Sequence, residues 1–297
     1  MIVVNSIEEV RSFVDAGRAR KGSIALVPTM GNLHEGHRTL IRRARADNHI
    51  VTVSLYVNPF QFGPTEDFAT YPRTEEEDRV ALLEDGVDLL FMPDDEVMYP
   101  RGLEQQTRVE VPQLGEVLEG ETRPGFFRGV TTVVNRLLHI TRPDVAYFGK
   151  KDYQQMVIIK RMVEDLAMSI RIVGVDTVRD SDGLALSSRN SYLSESGRSV
   201  APALYRGLCD GVQRMKSGNE TISEVEKTVL DDWVRAGIRP DYASIRRRGD
   251  LAAAGGGDHE LVILGAGYVG NTRLIDNVEF ELPAGDPLES PAGPAGI

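Results

Sequence analysis

A second cysteine is the first thing this chain lacks. Cys209 stands alone in 297 residues, which excludes an intramolecular disulfide and fits a reducing compartment, so a cytoplasmic location is expected. No apolar run approaches the roughly 20 residues that cross a bilayer, and no membrane partner is expected. Nothing resembles a targeting segment: Met1-Ile2-Val3-Val4 is too short for a signal core and runs into a capping-box pattern, Ser6 with Glu9. Basic surface is scarce too. With 34 basic against 45 acidic residues the net charge is -11, which argues against a nucleic-acid partner. The one basic run, Arg246-Arg247-Arg248, reads as a solvated strand end or turn. HExxH and CxxC patterns are missing, as are internal repeats. What remains, 41% hydrophobic and 27% charged, is a globular composition long enough for two domains.

Against that background one stretch stands out. Ile24-Ala25-Leu26-Val27 leads through Pro28-Thr29-Met30-Gly31-Asn32-Leu33 to His34-Glu35-Gly36-His37 and then a helical pattern. It reads as strand, glycine turn and helix. The first amides of a helix lack internal partners and its dipole is positive at that end, so the turn is a ready anion site. His34 and His37, three residues apart, fall on one side of a helical first turn, where both imidazoles can donate to the same phosphate chain. A nucleoside triphosphate site is the expectation.

The first half alternates strands over 24–27, 50–57, 87–92, 144–148 and 170–175 with helices over 8–19, 39–46, 75–84, 129–140 and 152–167. That alternation predicts an α/β fold with a doubly wound parallel sheet. Ligands of such sheets sit outside the carboxyl ends of the strands, so three segments beyond those ends matter: 28–37, 58–63 and 149–155. Past Val178 a polar, glycine-bearing stretch over 179–190 reads as a hinge. Helices over 196–215 and 222–236 and strands over 241–246, 260–264 and 272–281 then predict a smaller α+β domain. The expected division is 1–178, 179–282 and a disordered, proline- and glycine-rich tail over 283–297.

The candidate residues admit other readings. His34 and His37 could bind metal, but a zinc site needs further ligands, and His49, His139 and His259 lie in unrelated segments. Lys151, opening a helix, can place an ammonium on the same phosphates, and so could Lys150. Gln61 and Gln155 supply amides suited to a hydroxylated small molecule. Ser187-Ser188-Arg189 offers hydroxyls and a cation, or is ordinary linker. Glu75-Glu76-Glu77-Asp78 could hold magnesium, but reads better as the negative first turn of a helix capped by Thr74. The run Gly265-Ala266-Gly267-Tyr268-Val269-Gly270 matches half of a dinucleotide fingerprint, yet the next residues look like a strand rather than a helix, so a glycine-rich strand connection is expected.

Taken together, 28–37, Val57-Asn58-Pro59 with Gln61-Phe62, Tyr71-Pro72-Arg73-Thr74, Phe148-Gly149 with 151–155, 183–190 and Arg273-Leu274-Ile275-Asp276-Asn277 resemble the pantoate:β-alanine ligase family over residues 1–282. That family belongs to the nucleotidyltransferases with a HIGH-like signature, here His34-Glu35-Gly36-His37, and 187–189 is similar to their KMSKS-like loop. The resemblance implies a Rossmann-like domain followed by a lid, a homodimer through the first domain, and a two-step reaction. Pantoate and ATP with Mg2+ give pantoyl adenylate, and the amine of β-alanine then displaces AMP. His34, His37 and Lys151 are implied as catalytic. ATP is implied to meet Met30, His37, Gly149, Lys151, Asp152, Val178, Leu186, Ser187, Ser188 and Arg189, and pantoate to meet Met30, Asn58, Gln61 and Gln155. No protein ligand for the metal is implied; magnesium rides on the phosphates. Phe60, Lys150 and Phe126 depart from the family's commoner methionine, glutamate and histidine. An adenylyltransferase with another acceptor, or a nucleotide-binding module without turnover, would share the same turn.

Overall fold

The computed structural model describes residues 1–283 except Lys21 and Thr65; the tail expected to be disordered lies, apart from Pro283, outside the described residues. The chain divides into two compact units between Val178 and Arg179.

In the first unit six strands pair in parallel: β1 (Ile2–Val4), β2 (Ile24–Thr29), β3 (Ile50–Leu55), β4 (Leu89–Phe91), β5 (Val145–Gly149) and β6 (Arg171–Val175). Their order is β1-β4-β3-β2-β5-β6. The helices between them are α1 (Ile7–Ala19), α2 (Glu35–Asp47), α3 (Glu75–Glu84), α4 (Phe126–Thr141) and α5 (Tyr153–Asp165). Ile24, Ala25, Leu26 and Val27 are all fully buried, as a parallel strand covered on both faces must be. The chain steps from β2 to β3 and β4, then returns to start again at β5. This reversal lies between β2 and β5, where an α/β sheet opens its ligand crevice. The turn bearing the histidines and the segment bearing Lys151 come directly after these two strands.

The Ser6 and Glu9 box caps α1 as expected. Strand β1 lies outside the expected strands: three residues carry no periodicity, and it exists because the edge of β4 accepts it. Arg38 and Arg42 of α2 both bind Asp85 beyond α3, which ties the two helices together.

The second unit holds α6 (Ala203–Ser217) and α7 (Ile222–Ala236) against an antiparallel sheet of β7 (Arg239–Arg247), β8 (Glu260–Val269) and β9 (Thr272–Glu281). The helix expected over 196–215 is broken into Glu195–Val200 and α6, because Pro202 lacks the amide to continue it. Strand β8 runs past its expected end straight through the glycine pattern. The core centres on Trp233, fully buried, whose indole N–H donates to Leu204 C=O at 3.1 Å. A Cβ at Gly265 would overlap the Trp233 ring, and one at Gly267 would sit 2.7 Å from Ile238. These glycines make room for the core rather than for a nucleotide. Of the basic run, Arg246 donates to Ser244, Arg247 pairs with Asp250, and Arg248 pairs with Glu260 and Glu281.

Candidate active site

Between β2 and α2 the chain turns through two left-handed residues, Gly31 at φ +84° and Asn32 at +51°. The Asp78 carboxylate of α3 holds this turn, accepting from Asn32 N–H at 2.9 Å and Leu33 N–H at 2.8 Å. A side chain at Gly31 would press on it at 3.0 Å. The acidic run thus splits in function. Glu75, Glu76 and Glu77 are exposed first-turn residues while Asp78 is buried, and Thr74 takes the N-cap position without a side-chain bond.

His34 is the N-cap of α2 rather than a member of its first turn. Its Nδ1 accepts from Gly36 N–H at 3.1 Å, and its own N–H donates to His37 Nδ1 at 3.3 Å. The two residues form a capping box in which imidazoles replace the usual serine and glutamate. Because each Nδ1 accepts, each neutral ring carries its proton on Nε2 and presents that N–H on its opposite side. The ring centroids stand 4.1 Å apart. Burial first and then the Lys151 ammonium push His34 down to about 4 against an opposing pull from Asp152; burial, His34 and Lys151 push His37 down to about 3. Both rings are therefore neutral donors at pH 7. Lys151, in the turn of 3-10 helix Lys150–Asp152 just beyond β5, stands close enough to act on both.

Met30, Asn58 and Gln61 are brought together. Asn58, three residues past the end of β3, is buried, and its Nδ2 donates to Gln61 Oε1 at 3.0 Å and to Gly129 C=O at 3.2 Å. Gln61 Nε2 in turn meets the Met30 sulfur at 3.2 Å. At 1% exposure, with Phe60 N–H and the Tyr99 hydroxyl on its oxygen, Asn58 has no surface for a substrate; it supports Gln61 instead. Gly129 lets α4 approach this segment, since a Cβ there would fall 2.7 Å from Gln61 N. Phe60 packs edge-on against Tyr99, and Phe126 lies under the Arg123 guanidinium. A cavity of about 490 Å³ adjoins Met30 and Gly31 and is walled by Arg73, Asp78 and Asp94.

At the end of β5, Gly149 has an ordinary φ of -74° and open space where a Cβ would be, so neither backbone nor packing requires glycine there. Lys150 pairs with Asp176 at 2.8 Å. Of the two glutamines opening α5, Gln154 is buried and bonded to Glu119, Leu114 and Val117, which leaves Gln155 as the accessible amide. Asp152 is exposed and Val178 closes the first unit.

Leu186, Ser187, Ser188 and Arg189 belong to the second unit. The stretch expected to be a hinge folds there into defined turns. Arg179 and Ala185 bridge across a tight turn at Gly183 (φ +93°), and Arg179 binds buried Asp276 at 2.6 and 2.8 Å. Ser187 caps the next turn of 3-10 helix by accepting from Arg189 N–H at 3.3 Å. Asp78, Tyr99 and Gly129 are the site's unforeseen supports. Only Asp78 left a local signal, its helical spacing from buried Leu82.

A strand-turn-helix anion site at the reversal of a doubly wound sheet, furnished with neutral donors and a lysine, defines a nucleotide-using α/β enzyme. The family model for pantoate-beta-alanine ligase matches residues 2–279. A pantothenate synthetase of Azotobacter vinelandii is 49% identical over 282 residues, covering 95% of this chain and 100% of that one. The crystal structure of pantothenate synthetase from Thermus thermophilus superposes with a TM-score of 0.85 at 44% identity, covering 94% of this chain and 99% of that one. That of the Francisella tularensis ligase, complexed with beta-gamma ATP and beta-alanine, gives 0.78 at 34%, covering 94% and 97%. The chain belongs to the pantoate-β-alanine ligase family, and its reaction is the ATP-dependent condensation of pantoate with β-alanine.

Proposed function

We propose that the condensation runs through pantoyl adenylate, with the histidine turn as the phosphate site and Gln61 with Gln155 as the acid site. The observation that carries this reading is the imidazole capping box, which fixes two neutral Nε2–H donors at a helix N-terminus within electrostatic reach of Lys151. Pantoate's carboxylate must approach the α-phosphorus although both are negative, so neutralising charge that develops on the phosphates is the main catalytic need. His34, His37 and Lys151 supply it. The carboxylate oxygen forms the bond to phosphorus and pyrophosphate leaves. The neutral β-alanine amine then attacks the acyl carbon, and AMP departs with the bonding pair. Gln61 and Gln155 hold the acid without adding charge, and in-line holding removes part of the entropic barrier. Met30 stands beside them and Asn58 acts through Gln61.

Gly149, with open space above it, lets a nucleoside approach the backbone, beside Asp152 and Val178. The second unit serves as a lid whose Leu186, Ser187, Ser188 and Arg189 take the phosphates. Among the described residues no group of three or more His, Cys, Asp or Glu could hold a metal. The donors of the turn are N–H groups, suited to anions, so Mg2+ is carried by the ATP phosphates, where it would offset their charge. Among the described residues no helix is long and apolar enough to cross a membrane, and burial pushes the thiol of Cys209 up, which makes it less reactive; a cytoplasmic location remains part of the proposal. A homodimer through the first unit completes the proposal; sedimentation tests it.

Pantoate-dependent exchange of labelled pyrophosphate into ATP, followed by AMP release on adding β-alanine, tests the route. Both are expected. No exchange excludes the adenylate, and exchange without AMP release marks bare adenylyl transfer.

A further inference from the structure

The stretch of the second unit assigned to the phosphates is held at both ends by the fold itself. At the near end Arg179 is the anchor. The carboxylate of Asp276 on β9, only 4% exposed, accepts from Arg179 Nη1 at 2.6 Å and Nη2 at 2.8 Å, a two-pronged pair that fixes the direction of the guanidinium as well as its charge. The guanidinium carbon also lies 3.5 Å from the centre of the Tyr205 ring on α6. Arg179 Nη1 donates to Gly183 C=O at 3.1 Å, and the Arg179 backbone bridges that of Ala185. Within this turn Asp180 N–H donates to Leu184 C=O and Gly183 N–H to Asp180 C=O, each at 2.9 Å, and Leu184 and Ala185 are buried. At the far end Asn190 Nδ2 donates back to Ala185 C=O at 3.0 Å. Leu186, Ser187, Ser188 and Arg189, half-buried, thus form a loop closed at Ala185 on a fixed base.

We propose that Arg179, held by Asp276, and Asn190 are positioning residues for the nucleotide: they fix the two ends of 185–190 so that Ser187, Ser188 and Arg189 meet the phosphates already arranged. The proposal rests on the assignment of those three residues to the phosphates. A segment of this serine, glycine and aspartate composition, left to itself, would be ordered only on binding, and the cost of that ordering would weaken the affinity for ATP. Here the folding of the second unit fixes the loop beforehand. A buried bidentate ion pair suits the task because it sets direction, whereas an apolar contact would set only proximity. The pairs of Arg198 with Asp180 and Asp182 lie on the exposed side of the same turn and add little.

The test reads the KM of ATP, the KM of pantoate and kcat of full-length variants in pyrophosphate exchange, with thermal midpoints alongside. Asn190→Ala leaves the buried ion pair in place and removes one internal hydrogen bond, so the ATP KM should rise about five-fold with the pantoate KM held within about two-fold. Arg179→Lys keeps a cation beside Asp276 but loses the fork and the bond to Gly183 C=O, and should raise the ATP KM about ten-fold. Should Arg179→Lys not fold, Asn190→Ala decides. In a background of Ser187→Ala with Arg189→Ala, Asn190→Ala should add less than about two-fold, because its effect passes through those residues. Equal rises in the two KM values, or effects that multiply in that background, overturn the proposal. Gly265→Ala, which crowds Trp233 in the same unit, separates position from stability: an ATP KM raised there as much as in Asn190→Ala overturns it too. An unchanged ATP KM in Arg189→Ala sinks the assignment of the loop and this inference together. A raised one there with no change in Asn190→Ala sinks the inference alone.

Discussion

Two places in this chain carry a strand, glycines and the look of a nucleotide site, and they are built differently. At the exits of β2 and β5 the glycines serve a turn in one case and leave open space in the other. Gly31 permits a left-handed turn, and nothing stands within 4 Å of where a Cβ at Gly149 would lie. Along β8 the missing side chains are filled from within, Gly265 by Trp233 and Gly267 by Ile238. The glycines of β8 are thus taken up by the protein's own core, and the one that ends β5 is not. Neighbours differ in a similar way: Gln154 is buried and bonded within the fold, while Gln155 beside it is half-buried.

The sharpest way to break the comparison is to keep the fold of the open site and remove its chemistry. Asparagine is among the best N-cap residues, so His34→Asn should still accept from Gly36 N–H and hold α2. It lacks the Nε2–H donor. Pantoate-dependent exchange should slow by about 10²-fold or more, the scale of losing one oxyanion donor, with the thermal midpoint nearly unchanged. Exchange at the wild-type rate would make the histidines a cap and nothing more.

Two glycine substitutions, one in each region, make a matched pair. Gly265→Ala drives a methyl into Trp233, and overpacking of this kind costs about 1–3 kcal/mol, read as a lower denaturation midpoint with unchanged KM values once folded. Gly149→Ala meets open space at an ordinary φ, so stability should hold, while the KM of ATP rises about ten-fold if the methyl occupies the room proposed for the nucleoside. A destabilised Gly149→Ala with normal ATP use would erase the contrast between the two regions.

How legible each region is depends on how local its causes are. The inner strands of the first unit and the strand-turn-helix around Gly31 can be read because burial on both sheet faces and capping are written within a few residues, which the edge strand β1 does not offer. The break at Pro202 is equally local, yet the apolar spacing on either side of it suggests one continuous helix, and the missing amide wins. The supports of the site are not readable. Asp78 holds amides 46 and 45 residues away, Tyr99 reaches back 41 to Asn58, and Arg179 finds Asp276 97 residues on. That last bond is why a stretch with a linker's composition folds as an ordered turn. Composition reports what a segment can do in isolation, and these contacts are made only once the fold brings distant positions together.

The smallest expected effect concerns protons at the open site. An unfolded histidine titrates near 6.5, whereas burial and the Lys151 charge hold His34 down to about 4 and His37 down to about 3 in the folded chain. The unfolded state therefore binds more protons over this interval, and the stability these neutral rings carry is present above 6.5 and is lost as pH falls. Between pH 7 and pH 5 folded His37 stays neutral while its unfolded counterpart becomes charged, a loss of about 2 kcal/mol. Glutamine suits this third position of a capping box without titrating, so His37→Gln should keep the cap on His34 N–H and lose less stability over the same interval. Urea unfolding of both proteins at pH 7 and pH 5 measures the difference. An identical fall in the two would mean that His37 is as accessible to protons in the folded chain as in the unfolded one, and the imidazole box would then not be the half-buried, neutral donor pair that the proposed phosphate site requires.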